Sequence, residues 1–177
     1  MLRSTITGAV SRLDTCTVHR DLLAAALAEE EGIELAGSAH GDVACMAVGM
    51  SGADVILLDG ASIAGPGTVR SRAAAAPGAK IVVTGVAEDE ARVVDLVEAG
   101  IAGYATVDQP LAEVGAVVTA AADGQLQCSP RISAALAERV SALVAARRRI
   151  AGDALTPRER KISAPATRGL FVAPPLR

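Results

Sequence analysis

Asp54-Val55-Ile56-Leu57-Leu58-Asp59 is the stretch of sequence that decides the fold. Its four consecutive apolar residues predict a strand that is buried on both faces, as in a parallel sheet, and Asp59 follows at the carboxyl end of that strand. In open α/β sheets, ligands bind and chemistry takes place at the carboxyl ends of the strands. A carboxylate in this place is typical of a magnesium ligand, a phosphoryl acceptor, or an anchor for a sugar or cofactor.

Strands of this kind alternate with helices over the first two thirds of the chain. The predicted strands cover residues 5–10, 33–37, 54–58, 80–84 and 102–106, and the predicted helices cover 17–31, 42–49, 68–76, 88–99 and a segment with Pro110 in its first turn. This alternation predicts an α/β fold of the flavodoxin-like (βα)5 type with a five-stranded parallel sheet. The ends of the first, third and fourth strands should bring Asp14, Asp59 and Thr84 to one crevice.

The pattern changes after Gly124. Residues 129–150 have apolar side chains at helical spacing and predict a linker helix, which we expect Gly152-Asp153 to end. The segment Leu155-Thr156-Pro157-Arg158-Glu159-Arg160 combines a capping threonine, a proline at the first helical position and a glutamate at the reciprocal capping position, so it predicts the start of another helix. No helical pattern continues after Ile162.

Composition and charge exclude several functions. The chain has one Phe, one Tyr and no Trp, so it lacks side chains on which nucleotide bases could stack. No apolar run is long enough for a membrane span and no signal-peptide core is present, so we expect a cytoplasmic protein without membrane contact. Residues 1–146 carry 9 Lys/Arg and 18 Asp/Glu, whereas residues 147–177 carry 8 and 2. The sequence therefore predicts an acidic body with a basic C-terminal part.

Four segments, in this order, resemble the LuxR/NarL-type response regulators. They are Asp54–Asp59, Ala75-Ala76-Pro77-Gly78-Ala79-Lys80-Ile81-Val82-Val83, Glu98-Ala99-Gly100-Ile101-Ala102-Gly103-Tyr104 and Leu155–Arg160. The resemblance covers about residues 5–122 and the linker. It implies a receiver-like domain over 1–124, a linker helix over 129–150, and over 154–177 the truncated start of a helix-turn-helix domain that we do not expect to fold as such, leaving a disordered or vestigial tail.

The resemblance also assigns positions in the phosphorylation site. Asp59 takes the phosphoacceptor position, and the acidic pair that holds Mg²⁺ in the family falls on Asp14-Thr15, so Asp14 and Asp59 would form an incomplete metal site. Val107 stands where the family has an invariant lysine. The loop over residues 60–65 lacks the proline that the family has after the acceptor.

Two further positions correspond to residues that respond to phosphorylation in the family. Thr84 lies at or next to the switch hydroxyl position, and Gly85 is the other candidate. Tyr104 takes the aromatic switch position, although a partly buried strand residue without a switching role is the alternative.

These departures lead to the functional prediction. Phosphoryl transfer to a carboxylate needs a metal ion and a fixed cation to balance charge in the transition state, so we expect an atypical receiver that acts through protein contacts without phosphorylation. We expect no catalytic residue and no enzymatic activity, and no cofactor beyond a weakly bound Mg²⁺. We also expect no DNA-binding residue and no specific nucleic-acid binding by this chain alone. The expected partner is a second copy or a related response regulator, giving a homo- or heterodimer. The alternatives are a conventional regulator phosphorylated on Asp59 and a receiver that senses a small molecule.

Overall fold

The structure is a computed structural model that describes residues 6–11, 17–39 and 53–153. Asp14, the predicted helix over 42–49 and the tail over 154–177 lie outside the described residues. The described elements, in chain order, are β1 (Ile6–Ser11), α1 (Thr17–Ala28), β2 (Ile33–Ala39), β3 (Val55–Asp59), a single 3₁₀ turn (Gly60–Ser62), α2 (Pro66–Ala75), β4 (Lys80–Val86), α3 (Glu90–Ala99), β5 (Gly103–Thr106), α4 (Leu111–Ala122) and α5 (Pro130–Asp153).

The five strands form one parallel sheet in the order β2-β1-β3-β4-β5. This order confirms the predicted flavodoxin-like arrangement of a five-stranded parallel sheet. The direction in which successive strands are added reverses between β1 and β3, and in such sheets the ligand crevice lies at that point, beyond the carboxyl ends of the strands. Asp59 is the last residue of β3 and therefore lies at this edge.

The apolar run of β3 is buried on both faces of the sheet, as the sequence predicts. On one face, Val55 and Leu57 belong to a core formed with α1 and α4, in which Leu27 and Val118 are almost fully buried. The alternate residues of β3, Ile56 and Leu58, are buried as well. Because neither face of β3 is solvated, this strand is the rigid centre from which Asp59 extends.

The predicted start of the helix at Pro110 is wrong, whereas the predicted end of the linker helix agrees with the structure. Pro110 lies just before α4 with ψ of 140°, and its carbonyl accepts a hydrogen bond from the Glu113 amide at 2.9 Å, which is the role of an N-cap and not of a first helical residue. Gly152-Asp153, which the sequence predicts to end the linker helix, are the last two residues of α5, so the helix extends three residues past the predicted bound at 150.

The chain divides into two compact units, residues 1–135 and 136–177. The start of α5 belongs to the first unit, where Ile132 is 0% exposed and Arg131 Nε lies 3.1 Å from a carboxylate oxygen of Glu90. The linker helix therefore begins as part of the receiver-like unit. None of the helices described is long and apolar enough to cross a membrane.

Candidate functional site at the carboxyl end of β3

Asp59 is the central residue of the candidate site. It is 6% exposed and forms the N-cap of the 3₁₀ turn that follows β3. One of its carboxylate oxygens accepts a hydrogen bond from the Ala61 amide at 3.4 Å, and its backbone carbonyl accepts one from the Ser62 hydroxyl at 2.7 Å. Asp59 thus has a structural role in the turn, independent of any chemistry on the carboxylate.

The turn after Asp59 lies directly against the end of β4. A β-carbon added to Gly60 would lie 2.9 Å from the carbonyl oxygen of Thr84 and 3.1 Å from that of Gly85. Both neighbours are backbone atoms of a buried strand, which cannot move aside like the end of a flexible side chain. Gly60 is therefore required by this close approach.

Replacing Gly60 with alanine is expected to lower the free energy of unfolding by about 1–3 kcal/mol, the usual cost of overpacking a rigid site. Urea denaturation followed by circular dichroism measures this change. Gly67→Ala is the matched control, because a β-carbon at Gly67 meets no atom within 4 Å and alanine favours the helix α2 in which it lies. Equal stability of the Gly60→Ala variant and the wild type would show that the loop is not held against β4.

Arg92 holds this loop from α3. One nitrogen of its guanidinium group donates hydrogen bonds to the carbonyl oxygens of Gly60 at 3.0 Å and Ile63 at 3.4 Å. The Ile63 amide also donates to the Gly60 carbonyl at 3.3 Å, which closes the turn. A planar guanidinium that binds two carbonyls fixes the loop conformation where the sequence has no proline to do so. Nothing in the sequence near Asp59 indicates this contact, because Arg92 is 32 residues from Gly60 along the chain.

The end of β4 contains an irregularity at Thr84–Gly85. Val83 pairs with Tyr104 and Val86 pairs with Thr106, so β4 has one more residue than β5 between these two pairs. Gly85 has φ of +68°, the left-handed conformation that glycine adopts at many β-bulges. The bulge explains why the sequence alone leaves the switch position ambiguous by one residue, since two residues of β4 occupy the space of one.

The two candidates for the switch hydroxyl face in different directions. Thr84 is buried, and its hydroxyl donates to the Leu58 carbonyl at 3.4 Å. A β-carbon at Gly85, by contrast, would lie 3.5 Å from a carboxylate oxygen of Asp59. A side chain at position 85 would therefore point at the Asp59 carboxylate, but this residue is glycine and has no hydroxyl. The positive φ of Gly85 is a backbone conformation that β-branched residues such as threonine rarely adopt.

Val107, which the resemblance places where the family has a lysine, is 66% exposed. Its amide donates to the Val86 carbonyl at 3.1 Å, so the backbone of this segment is held beside β4 while the side chain is apolar and open to solvent. Within the described residues, no group of three His, Cys, Asp or Glu side chains could hold a metal ion. The described part of the site therefore offers the Asp59 carboxylate for Mg²⁺, while the other predicted ligand, Asp14, lies outside it.

Tyr104 is buried in β5 and interacts with the residues just before α5. Burial raises the pKa of the Tyr104 hydroxyl, while hydrogen bonds with the backbone and hydroxyl of Ser129 favour the opposite direction. Burial also raises the pKa of the Cys128 thiol, so this cysteine remains protonated and weakly reactive at neutral pH. Both residues line a cavity of about 260 Å³. Tyr104 is thus directed toward the linker, and Ser129 is a site residue that the sequence pattern does not reveal.

A second cavity, of about 300 Å³, lies between α3 and the loop that Arg92 holds. Three charged residues line it, Asp89, Arg92 and Asp95, together with the start of α2 at Gly65-Pro66. The cavity therefore adjoins the loop that follows Asp59 and offers both signs of charge to a ligand.

Comparisons with known proteins agree with this architecture. No family model matches the sequence, and no curated protein matches it. Among solved structures, the response regulator ChrA of a heme-sensing two-component system is 26% identical, with a TM-score of 0.55, over 78% of this chain and 67% of that chain. A LuxR-family two-component response regulator from Aurantimonas sp. SI85-9A1 is 20% identical, with a TM-score of 0.62, over 76% of this chain and 99% of that chain. RcsB from Salmonella enterica serovar Typhimurium, bound to a promoter in the presence of the phosphomimetic BeF₃⁻, is 16% identical, with a TM-score of 0.61, over 89% of this chain and 75% of that chain.

Proposed function

We propose that this protein, whose described fold is that of a LuxR/NarL-type response-regulator receiver domain, transmits a regulatory signal through protein contacts without phosphorylation of Asp59. The receiver fold supports a role in signal transduction. The observation that carries the finer proposal is the position of Gly85, which faces the Asp59 carboxylate with no hydroxyl and in a left-handed conformation.

The chemistry of phosphoryl transfer supports this proposal. The reaction places negative charge on the phosphoryl oxygens, which a metal ion, a fixed cation and hydrogen-bond donors must stabilise. The resemblance places the switch hydroxyl at Thr84 or Gly85, and Gly85, whose added β-carbon would lie 3.5 Å from an Asp59 carboxylate oxygen, has no hydroxyl to donate. The resemblance also places the fixed cation at residue 107, where this chain has valine. Thr15 removes one of the two acids that resemblance assigns to Mg²⁺. We therefore propose that Asp59 has a structural role as the N-cap of its turn. We also propose that the protein is not an enzyme and that any Mg²⁺ binding is weak.

We also propose that the protein acts as a homodimer or pairs with a related response regulator. RcsB, which has the same fold, has been observed as two dimers bound to two DNAs. In this chain, the residues after Ile162 have no helical pattern that could enter a DNA groove. We therefore propose that this chain alone does not bind DNA specifically and that its effects depend on its protein partner.

Thermal unfolding in the presence of Mg²⁺ and BeF₃⁻ tests the proposal. A ligand at one hundred times its dissociation constant would stabilise the protein by about 2.7 kcal/mol, which is easily detected. We expect no shift in Tm with the phosphomimetic, because the site lacks the groups that would hold it. A stabilisation that disappears in Asp59→Asn would contradict the proposal and favour a conventional receiver.

A small-molecule sensor is the second candidate function, and the cavity beside α3 favours it. Its volume of about 300 Å³ is at the lower end of the range of small-ligand sites. Arg92 and the two aspartates suit a small zwitterion such as an amino acid, and binding to Arg92 would compete with its hydrogen bonds to the loop. A thermal shift with free amino acids that Arg92→Ala abolishes and Asp59→Asn leaves intact would favour this candidate.

A further inference from the structure

The second half of α5 carries a stripe of large apolar side chains that is exposed to solvent. Val140 is 59% exposed, Leu143 52% and Ile150 72%. With Leu136 and Arg147, these residues follow one another at alternating intervals of four and three, which is the spacing of a coiled-coil seam. We call the five residues Leu136, Val140, Leu143, Arg147 and Ile150 the α5 seam.

The residue types of the α5 seam fit a two-stranded contact. Leucine or isoleucine occupies every d position, at 136, 143 and 150, and a β-branched valine occupies the a position at 140. These apolar side chains can pack as knobs into the holes of a facing helix, and a single charged residue at an a position, here Arg147, is a device that fixes register. A stripe of this kind is complementary to itself, so a second copy of the chain covers it with the same residues on both sides.

Charge decides the direction in which two such helices pair. Arg147, Arg148 and Arg149 follow one another, and residues 147–177 carry 8 Lys/Arg against 2 Asp/Glu. In a parallel pair, the two arginine triplets would lie about 8–10 Å apart, the usual distance between packed helices. In an antiparallel pair centred between Val140 and Leu143, the two Arg147 positions are 11 residues apart along the axis, or about 16 Å at 1.5 Å per residue. This is twice the screening length of about 8 Å at physiological salt.

The antiparallel register also defines which seam residues meet. In the antiparallel register, Val140 of one copy meets Leu143 of the other, and the aliphatic stem of Arg147 covers Leu136 of the other copy.

We infer that two copies of this protein pair through the α5 seam as antiparallel helices, an inference that rests on the self-association included in the proposed function. Light scattering coupled to size-exclusion chromatography of the full chain is expected to give a dimer. Leu143→Asp should weaken the dimer by roughly 30-fold or more, the usual effect of removing a central interface residue. Ser141→Asp is the matched control, since it adds the same charge on the same turn, on the side of α5 away from the seam.

The outcomes separate this inference from the proposed function. A wild-type dimer that Leu143→Asp dissociates, with an unchanged circular dichroism spectrum and with Ser141→Asp still dimeric, supports the seam. A dimer that persists in Leu143→Asp would overturn the seam but leave self-association intact. A monomeric wild type at high concentration would overturn both.

A nitroxide label measures the direction of pairing. On a variant with the native cysteines replaced by serine and shown to remain dimeric, Ala151→Cys, next to the seam residue Ile150, provides one label per chain. Antiparallel pairing predicts a distance of about 28 Å or more between labels, from 19 residues of axial separation. Strong dipolar broadening from labels closer than about 20 Å, the width of two helices packed about 8–10 Å apart, would show a parallel pair and overturn the antiparallel assignment.

Discussion

The double variant Thr15→Asp/Val107→Lys is expected to accept a phosphoryl group from phosphoramidate at least on the order of 10²–10³ times faster than the wild type. The resemblance to LuxR/NarL-type receivers places the second metal-binding acid at residue 15 and the lysine at residue 107. The exposed Val107 side chain leaves room for a longer one, and its amide bond to Val86 keeps the backbone beside the end of β4. Each restored group stabilises charge that develops in the transition state, although two groups at one site need not act additively.

The control is the variant Thr15→Asn/Val107→Gln, which has side chains of similar size without the added charges. Initial rates of phosphorylation, measured by mass spectrometry over a range of Mg²⁺ concentrations, should stay at the wild-type level for this control. Adding Asp59→Asn to the charged variant should abolish the reaction. If the charged variant reacts no faster than the wild type, the loss of activity lies elsewhere, and the bulge at Gly85 would be the first place to examine.

Replacing Ile132 with alanine is expected to lower the free energy of unfolding by about 2–5 kcal/mol, the cost of truncating a buried aliphatic side chain and leaving a cavity. Ile132 lies in the first turn of α5 and is 0% exposed. Next to it, Arg131 pairs with Glu90, and Ser129 interacts with Tyr104. We expect this large loss of stability because the start of α5 is packed into the receiver-like unit.

Ile150→Ala removes the same atoms from the same helix at a position that is 72% exposed. Its effect on stability should stay within about 0.5 kcal/mol when urea denaturation is measured at a protein concentration too low for dimers to form. Equal effects of the two variants would contradict the assignment of Ile132 to the core. They would show instead that the first turn of α5 contributes no more to the fold than its exposed end.

The fold could be predicted because its signals are local and repeated. The run from Val55 to Leu58 predicts a strand buried on both faces, and the alternation of such strands with helices determines a parallel sheet. Helix ends are less certain, because a single residue decides them by small energies. Pro110 is compatible with both a cap and a first helical position, whereas Gly152-Asp153 coincides with the end of α5.

The candidate site could be predicted only in part. The place of Asp59 in the site can be predicted, because it directly follows the apolar run of β3. Whether Thr84 or Gly85 faces its carboxylate depends on a bulge in β4 that no local sequence pattern predicts. Arg92 and Ser129 reach the site through contacts between elements that are distant in sequence. A sequence pattern gives the type of each residue at the sheet edge, whereas the direction of its side chain depends on the register of neighbouring strands.

Whether Asp59 is phosphorylated is decided by the intact mass of the purified wild-type protein after incubation with phosphoramidate and Mg²⁺. We expect the mass to stay that of the unmodified chain, because residue 107 is valine where the family resemblance places a lysine, and because Gly85 beside the Asp59 carboxylate has no hydroxyl. Circular dichroism of the same sample should show a folded α/β protein. A stoichiometric increase by one phosphoryl group that Asp59→Asn abolishes would contradict action without phosphorylation and make the protein a conventional phosphorylated receiver.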